Sequence, residues 1–453
     1  MQCAAAFSVV VTVVCLVALT SGKMHCLLDA KHCGDIGEGG AAQALLPPAG
    51  ARPGALAHRT LSSNPTVREK CAAQGPVIPR VAFLFMTRGT VVHEPMWKEW
   101  FRSAVGLIPI DVIRNHNCSE SVFSDIASAC IPDQNPQNIL GSQHLFSVYI
   151  HIPPGQPGHP KGSLFHGLEI PVHIKASWGG FELVDIAKAL FGAALQDPAN
   201  QKMVLLSESC LPLYPPTLTY AQLISEPKSR INACSNEGAR WQAMPWRWHP
   251  KMARAKDAQI TPALWRKTSQ WIALERELAA AVAGDTAVAN MFRQSCLEVD
   301  WDDELERHYE CYSDEHYMPV LLAFKGLENK TDCVGSLTNV DWSENKPHPW
   351  SYTPEEVNVA TIRRLRAREG CYPAAALRLA KHVFMEAGAP QSDSYCRAGA
   401  PWAPVLLGPH CSLIARKFPE NTASQVHALY SNCSADLGML GCPGDDLVFG
   451  QQL

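Results

Sequence analysis

Three short apolar runs narrow what this chain can fold into. Val81-Ala82-Phe83-Leu84-Phe85-Met86 is unbroken and ends in Thr87-Arg88-Gly89; His144 to Ile152 partly alternates and stops at Pro153-Pro154; Met203 to Leu206 stops at Ser207-Glu208-Ser209-Cys210. A run of that length, apolar at nearly every position and closed by turn-forming residues, predicts a strand buried on both faces. Between the second and third runs, Leu183, Ile186, Ala187, Leu190, Phe191 and Ala194 share one helical face, closed by Asp197-Pro198. Strand, helix, strand is the order of a parallel α/β sheet, in which ligands lie beyond the carboxyl ends of the strands. Thr87-Arg88-Gly89 and Ser207-Glu208-Ser209 stand at two such ends.

The 453 residues are 47% hydrophobic and 18% charged, enough for one large domain or two ordinary ones. The net charge of -4, from 39 basic and 43 acidic residues without a block of either sign, speaks against a nucleic-acid partner. From Ala4 to Thr20 the chain is apolar except for Ser8 and Thr12, preceded by no Lys or Arg and followed by Lys23. Residues 1–22 are therefore expected to be a signal anchor or a cleaved signal peptide. Residues 23–79, broken by Gly39-Gly40, Pro47-Pro48, Pro53-Gly54 and Ser62-Ser63-Asn64-Pro65, read as a stem. The organised part spans 80–435, with a tail over 436–453.

Seventeen cysteines, none in a C-x-x-C pair, disfavour a metal cluster and fit disulfides formed in an oxidising lumen. Cys3 and Cys15 lie in the apolar leader, which leaves fifteen others, an odd number, and hence at least one free or intermolecular thiol. Asn117-Cys118-Ser119, Asn329-Lys330-Thr331 and Asn432-Cys433-Ser434 are N-glycosylation triplets.

Farther along, Glu275 to Val282 is helix-like, and Ser313 can cap a helix that opens Asp314-Glu315-His316 and buries Val320, Leu321 and Leu322 or Phe324. Thr353-Pro354-Glu355-Glu356 is a capping box expected to lead a helix to Gly370, with Arg363, Arg364, Arg366 and Arg368 on its solvated face. Asp300-Trp301-Asp302, followed by Asp303 and Glu304, reads as an acidic loop rather than a metal site.

Taken in order, Phe85-Met86-Thr87-Arg88-Gly89, Ser177-Trp178-Gly179-Gly180, Val204 to Leu213, Trp265-Arg266-Lys267-Thr268-Ser269-Gln270-Trp271, Asp314-Glu315-His316-Tyr317, Val340-Asp341-Trp342-Ser343 and Ala415-Arg416-Lys417-Phe418 resemble the core-2/I-branching β-1,6-N-acetylglucosaminyltransferase family, glycosyltransferase family 14, in its plant and algal branch. The resemblance runs from about residue 80 to 420. Thr268 departs from it, since that branch usually has Gly there.

The resemblance implies a GT-A-like α/β fold and an inverting, metal-independent transfer from a UDP-sugar, with UDP-N-acetylglucosamine favoured, to a hydroxyl of a glycan or glycoprotein. It implies a single-pass Golgi protein with a lumenal catalytic domain, or a secreted one if the leader is cleaved. Such chemistry needs one carboxylate as general base, and Glu315 matches that position. It also needs fixed positive charge on the leaving diphosphate. Arg416 and Lys417 match that role, replacing the metal that an Asp-x-Asp would hold; Ser207-Glu208-Ser209 stands where that motif would. Thr87, Arg88, Gly89 and Glu208 complete the expected donor site. Trp342, Arg266, Lys267 and Gln270 are the expected acceptor residues. A peptide O-xylosyltransferase using UDP-xylose, an inactive glycan-binding protein of the same fold, and a glycosidase with Glu208 as its second carboxylate are the competing readings.

Overall fold

A computed structural model describes residues 78–432 except 106, 110–139, 141–144, 236–241, 345–347, 368–370, 372–383, 387–406 and 409. All of these belong to a unit running from Arg52 to Leu453. The expected leader, the tail and nearly all of the stem lie outside the described residues, as do Asn117 and Arg368.

Three strands of the central sheet are the runs read in the sequence, β1 (Arg80–Met86), β3 (Phe146–His151) and β4 (Asn200–Ser207); a fourth, β6 (Ala273–Glu275), is not among those runs, and the order is β3-β1-β4-β6. Strand β1 is parallel to both neighbours, Met86 standing beside His151 on one side and Ser207 on the other, and β6 closes the sheet antiparallel to β4. Every residue of β1 is buried, so the strand needs apolar side chains on both faces. On one face Phe83 meets Trp97 and Trp100 of α1 (Glu94–Arg102), each at 5.7 Å between ring centres, and Phe146 of β3 at 5.2 Å. On the other face Ala82 and Leu84 share a core with Val184, Ala187 and Leu190 of α2 (Phe181–Leu195). A small side chain at 82 opposite large ones at 83 and 85 lets the two faces accommodate helices of different bulk.

This arrangement fixes where a ligand can enter. The helix after β1 lies on one face and the helix after β3 on the other, so the chain parts at the carboxyl ends of these two neighbours and opens a crevice there. Helix α3 (Pro216–Ser225) follows β4 onto the same face as α1, where Leu218, Tyr220 and Leu223 are buried with the α1 aromatics.

Smaller pieces frame the crevice. Strand β5 (Leu211–Pro212), reached from β4 through Glu208–Cys210, pairs antiparallel with β11 (Ile414–Ala415), which is parallel to β9 (Thr338–Asn339). Strands β2 (Leu107–Pro109) and β10 (Phe384–Glu386) pair antiparallel, as do β7 (Val299–Asp302) and β8 (Arg307–Tyr309). Helices α4 (Arg276–Gly284), α5 (Ala287–Ser295), α6 (Ser313–Phe324), α7 (Val359–Arg366) and α8 (Ala423–Ser431) follow, with a single helical turn over Pro250–Ala253 before them. Cys234–Cys333, Cys296–Cys311 and Cys371–Cys411 are disulfides, and Cys210 is a buried free thiol. No helix among the described residues is long and apolar enough to cross a membrane.

Three local expectations are corrected. Ser313 is the first residue of α6 and not its cap; the cap position is Tyr312. The Ser313 hydroxyl points at Cys296 Sγ and its N–H donates to the Gly179 carbonyl, so both polar groups are engaged elsewhere. The Thr353–Glu356 box caps only a single 3-10 turn over Pro354–Glu356; α7 starts afresh at Val359, where Asn358 accepts from the Thr361 N–H. Arg366 leaves the solvated face and is buried, donating to the Leu213 carbonyl at 2.6 Å, because α7 is short enough to lay its last turn against β5.

Candidate active site

Two groups of charged side chains line the crevice, and one segment of main chain joins them. The first group gathers at the β1 and β4 ends. Thr87 is buried, and its hydroxyl donates to the His151 carbonyl, stitching β1 to β3 across the point where the chain parts. Gly89 leaves open space beside it, with no atom nearer than 3.9 Å to where a Cβ would stand. Arg88 projects into solvent and pairs with Glu208 at 2.8 Å. Such an exposed pair is worth about 0–1 kcal/mol, so an incoming anion can take Arg88 over. Behind them, Phe418 donates its N–H to the Ser209 carbonyl and anchors the Ala415–Phe418 strand end beside β4.

That anchoring places Arg416 and Lys417 within electrostatic reach of Arg88 and Glu208. Arg416 lies over the Trp271 ring at 4.6 Å, and its Nε has no hydrogen-bond partner among the described residues. Arg230 makes the contrast: equally cationic and fully buried, it is bonded to Glu226 and to the carbonyls of Ser336 and Cys411. Burial lowers the pKa of both Arg416 and Lys417, and for Lys417 the neighbouring Arg416 and Arg88 push the same way. Three cations against one carboxylate form a site that an anion completes. Ser207, Glu208 and Ser209 supply a single carboxylate already paired with Arg88, a donor set that does not fit a hard divalent cation. Cys371 and Cys411 stand close to His410, but their disulfide leaves no thiolate for a metal there.

The second group surrounds Glu315, in the first turn of α6. Arg247 donates to its Oε2 at 2.8 Å and Lys267 Nζ lies 3.3 Å from its Oε1. Pro319, one turn later in the helix, has no N–H to give the Glu315 carbonyl. Thr268 supplies one instead, at 3.0 Å, so the helix defect becomes the point where a second segment docks. Thr268, the departure from the family pattern, is buried, and its hydroxyl accepts from Asn232 N–H at 3.3 Å. Asp314, next to Glu315, has an Oδ1 shut away from solvent and unbonded among the described residues. Burial first, and Glu315 second, push its carboxyl up to about 7. His316 faces inward, stacked on Trp265 at 4.4 Å with Nδ1 against the Arg266 carbonyl, and burial lowers its pKa to about 3.

The segment from Lys267 to Trp271 connects the groups. Lys267 sits on Glu315, Gln270 Nε2 reaches Met86 Sδ at 3.6 Å, and Trp271 lies under Arg416. Four residue steps span at most about 14 Å, so the carboxylate and the cations stand at the two ends of one short segment. Lys267 also lines a cavity of about 260 Å³ beside Glu315, with Asn232, Gln242, Ser269 and the Cys234–Cys333 disulfide.

Of the residues singled out in the sequence, Thr87, Arg88, Gly89, Glu208, Arg416 and Lys417 gather at one end, Glu315 and Lys267 at the other, with Gln270 between. Arg266 lines the same cavity as Lys267, but it is largely buried and its guanidinium is taken up by Glu328 and by the carbonyls of Ala233, Ala263 and Trp265. Trp342 is half exposed on the loop after β9, next to the Asp341–Arg364 pair. Asp302 is buried as well, holding the β7–β8 turn by accepting from the Glu304 and Leu305 N–H groups and from His249. Arg247 and Asp314 carried no separate signal in the sequence, although Asp314 adjoins the expected base.

A doubly faced α/β sheet of this kind binds its ligands beyond the carboxyl ends of its strands, where these charged side chains stand. The family model for the Core-2/I-Branching enzyme matches residues 137–366, and the chain belongs to that family, whose fold is GT-A-like. It is also 28% identical over 249 residues to glycosyltransferase BC10 of Oryza sativa subsp. japonica, a match covering 50% of this chain. The chain spans 60% of the length of that relative.

Proposed function

We propose that the chain is an inverting, metal-independent glycosyltransferase that moves N-acetylglucosamine from UDP-N-acetylglucosamine to a hydroxyl of a glycan or glycoprotein, in the Golgi lumen and tethered by its N-terminal segment. One observation carries this reading: a carboxylate held between two cations, Glu315, and a separate cluster of three, Arg88, Arg416 and Lys417, sit at the two ends of Lys267–Trp271. The three disulfides among the described residues support a lumenal placement.

In this mechanism the diphosphate displaces Glu208 from Arg88 and binds Arg416 and Lys417, which hold the charge that grows as the anomeric bond breaks. The acceptor hydroxyl takes the place of one cation at Glu315. It gives its proton to that carboxylate as its oxygen attacks the anomeric carbon from the face opposite the leaving group. One C–O bond forms as another breaks, and the configuration inverts.

Calorimetry of UDP and UDP-sugars with the full chain, in EDTA and then with manganese, tests the reading. A UDP-sugar bound equally in both supports it; binding only with manganese removes the metal-independent mechanism. Glu315→Gln is expected to lower transfer roughly 10²–10⁴-fold with UDP affinity intact, whereas Lys417→Ala weakens both. Transfer at the wild-type rate by Glu315→Gln excludes Glu315 as base.

A further inference from the structure

Asn329-Lys330-Thr331 is the one Asn-x-Ser/Thr triplet that lies wholly within the described residues. It begins in a single 3-10 turn over Glu328–Lys330, just beyond the end of α6. The residues around Asn329 are all engaged. Glu328 pairs with Arg266 at 2.7 Å, Lys330 pairs with Glu277, and the Thr331 hydroxyl donates to the Glu328 carbonyl at 2.8 Å. Asn329 takes part in none of these bonds and is exposed. It belongs to neither charged group of the crevice.

Folding hides the rest of the triplet. Thr331 is 0% exposed. The backbone on either side of it is paired: the Ser229 N–H donates to the Lys330 carbonyl and the Asp332 N–H donates to the Ser229 carbonyl, each at 2.9 Å. Two residues beyond Thr331, Cys333 is bonded to Cys234, 99 residues back in the chain. The hydroxyl of the triplet is therefore sealed once these contacts form, while the Asn329 side chain stays in water.

Attachment of a glycan to this pattern needs two groups, the amide and the hydroxyl two residues later. The amide nitrogen attacks C1 of an oligosaccharide carried on a lipid diphosphate. The N–C1 bond forms as the C1–O bond breaks, the diphosphate leaves with that electron pair, and the amide gives up one proton. A large, hydrated glycan is then kept without a burial penalty where the folded chain leaves the side chain exposed. Asn329 meets that condition after folding, whereas Thr331 is open to the attaching enzyme only before it. We infer that Asn329 carries an N-linked glycan, attached before the Ser229 pairing and the Cys234–Cys333 disulfide close over Thr331. The inference rests on the lumenal placement proposed above and not on the sugar that the chain transfers.

The test expresses the full chain and its Asn329→Gln variant in cells with a secretory pathway. Digestion with peptide N-glycosidase in heavy-oxygen water converts a glycosylated Asn329 to labelled Asp, which peptide mass spectrometry reads. The variant is expected to run one glycan step faster than wild type on a denaturing gel. Synthesis in a thiol reductant that keeps Cys234–Cys333 open reads the timing, and the occupancy of Asn329 is expected to hold or rise there. Unlabelled Asn329 in a chain protected from protease inside closed microsomes overturns the inference and leaves the lumenal placement standing. A variant with unshifted mobility does the same, and so does a fall in occupancy in reductant, since modification would then follow folding. A chain that protease digests without detergent overturns the lumenal placement, and the inference with it.

Discussion

Asp314 shows how far a neighbour's chemistry depends on where the side chain is shut in. Its carboxyl titrates at about 7 because burial and Glu315 both oppose its charge. In the unfolded chain the same group titrates near its ordinary value of 3.8. A group whose folded pKa is raised stabilises the fold fully below its unfolded pKa, and that stability is lost as pH rises through the folded pKa. Asp314 therefore erodes stability between about pH 4 and 7, by on the order of 4 kcal/mol. Asp314→Asn, which cannot ionise, is expected to flatten the decline over that window in urea unfolding, and an unchanged pH profile would refute the assignment. The sequence places Asp314 beside Glu315, but its acidity follows from walls that other segments build.

At the scale of elements, α6 carries a flaw with a use. Proline inside a helix removes one hydrogen bond and costs about 3 kcal/mol in an ordinary setting. Here Pro319 frees the Glu315 carbonyl for Thr268, which brings Lys267 onto the Glu315 carboxylate. Pro319→Ala returns an N–H to compete for that carbonyl. It is expected to raise thermal stability by about 1–3 kcal/mol while lowering kcat, as the Lys267–Trp271 segment loses its register on the helix. A variant with raised stability and full turnover would show that the contact is only structural. The two other helical misreadings, the Ser313 cap and the long helix from Thr353, have one origin: a capping pattern satisfies itself within four residues and says nothing about a partner such as the Gly179 carbonyl or β5.

Over the whole molecule, the disulfides close loops of very different length, 99 residues for Cys234–Cys333 and 15 for Cys296–Cys311. Loop-closure entropy assigns about 4.7 kcal/mol to a loop near 100 residues and about 3 kcal/mol to one of 15. Replacing Cys234 and Cys333 by Ala is therefore expected to lower the urea midpoint more than replacing Cys296 and Cys311. The opposite order would show that local packing, not chain entropy, dominates. Their functional weights differ in another way, since Cys296–Cys311 backs Ser313 at the start of α6 while Cys234–Cys333 walls the cavity beside Lys267.

The sequence alone determined the three parallel strands, the main helix between two of them and the crevice ends, because a strand buried on both faces must be apolar at nearly every position and a helix on a sheet must show a 3.6-residue stripe. It also marked Glu315, Arg416 and Lys417, through motifs in a recognisable order. Only the tertiary structure decided which charges face a ligand. Arg366 reads as a surface cation and Arg266 as an acceptor-binding one, and both are buried against main-chain carbonyls, while Trp178, which carried no assigned role, stands exposed beside the base. Periodicity reports on one element and its own burial; the partner of a guanidinium or an indole comes from a segment tens of residues away, and no local pattern encodes that meeting.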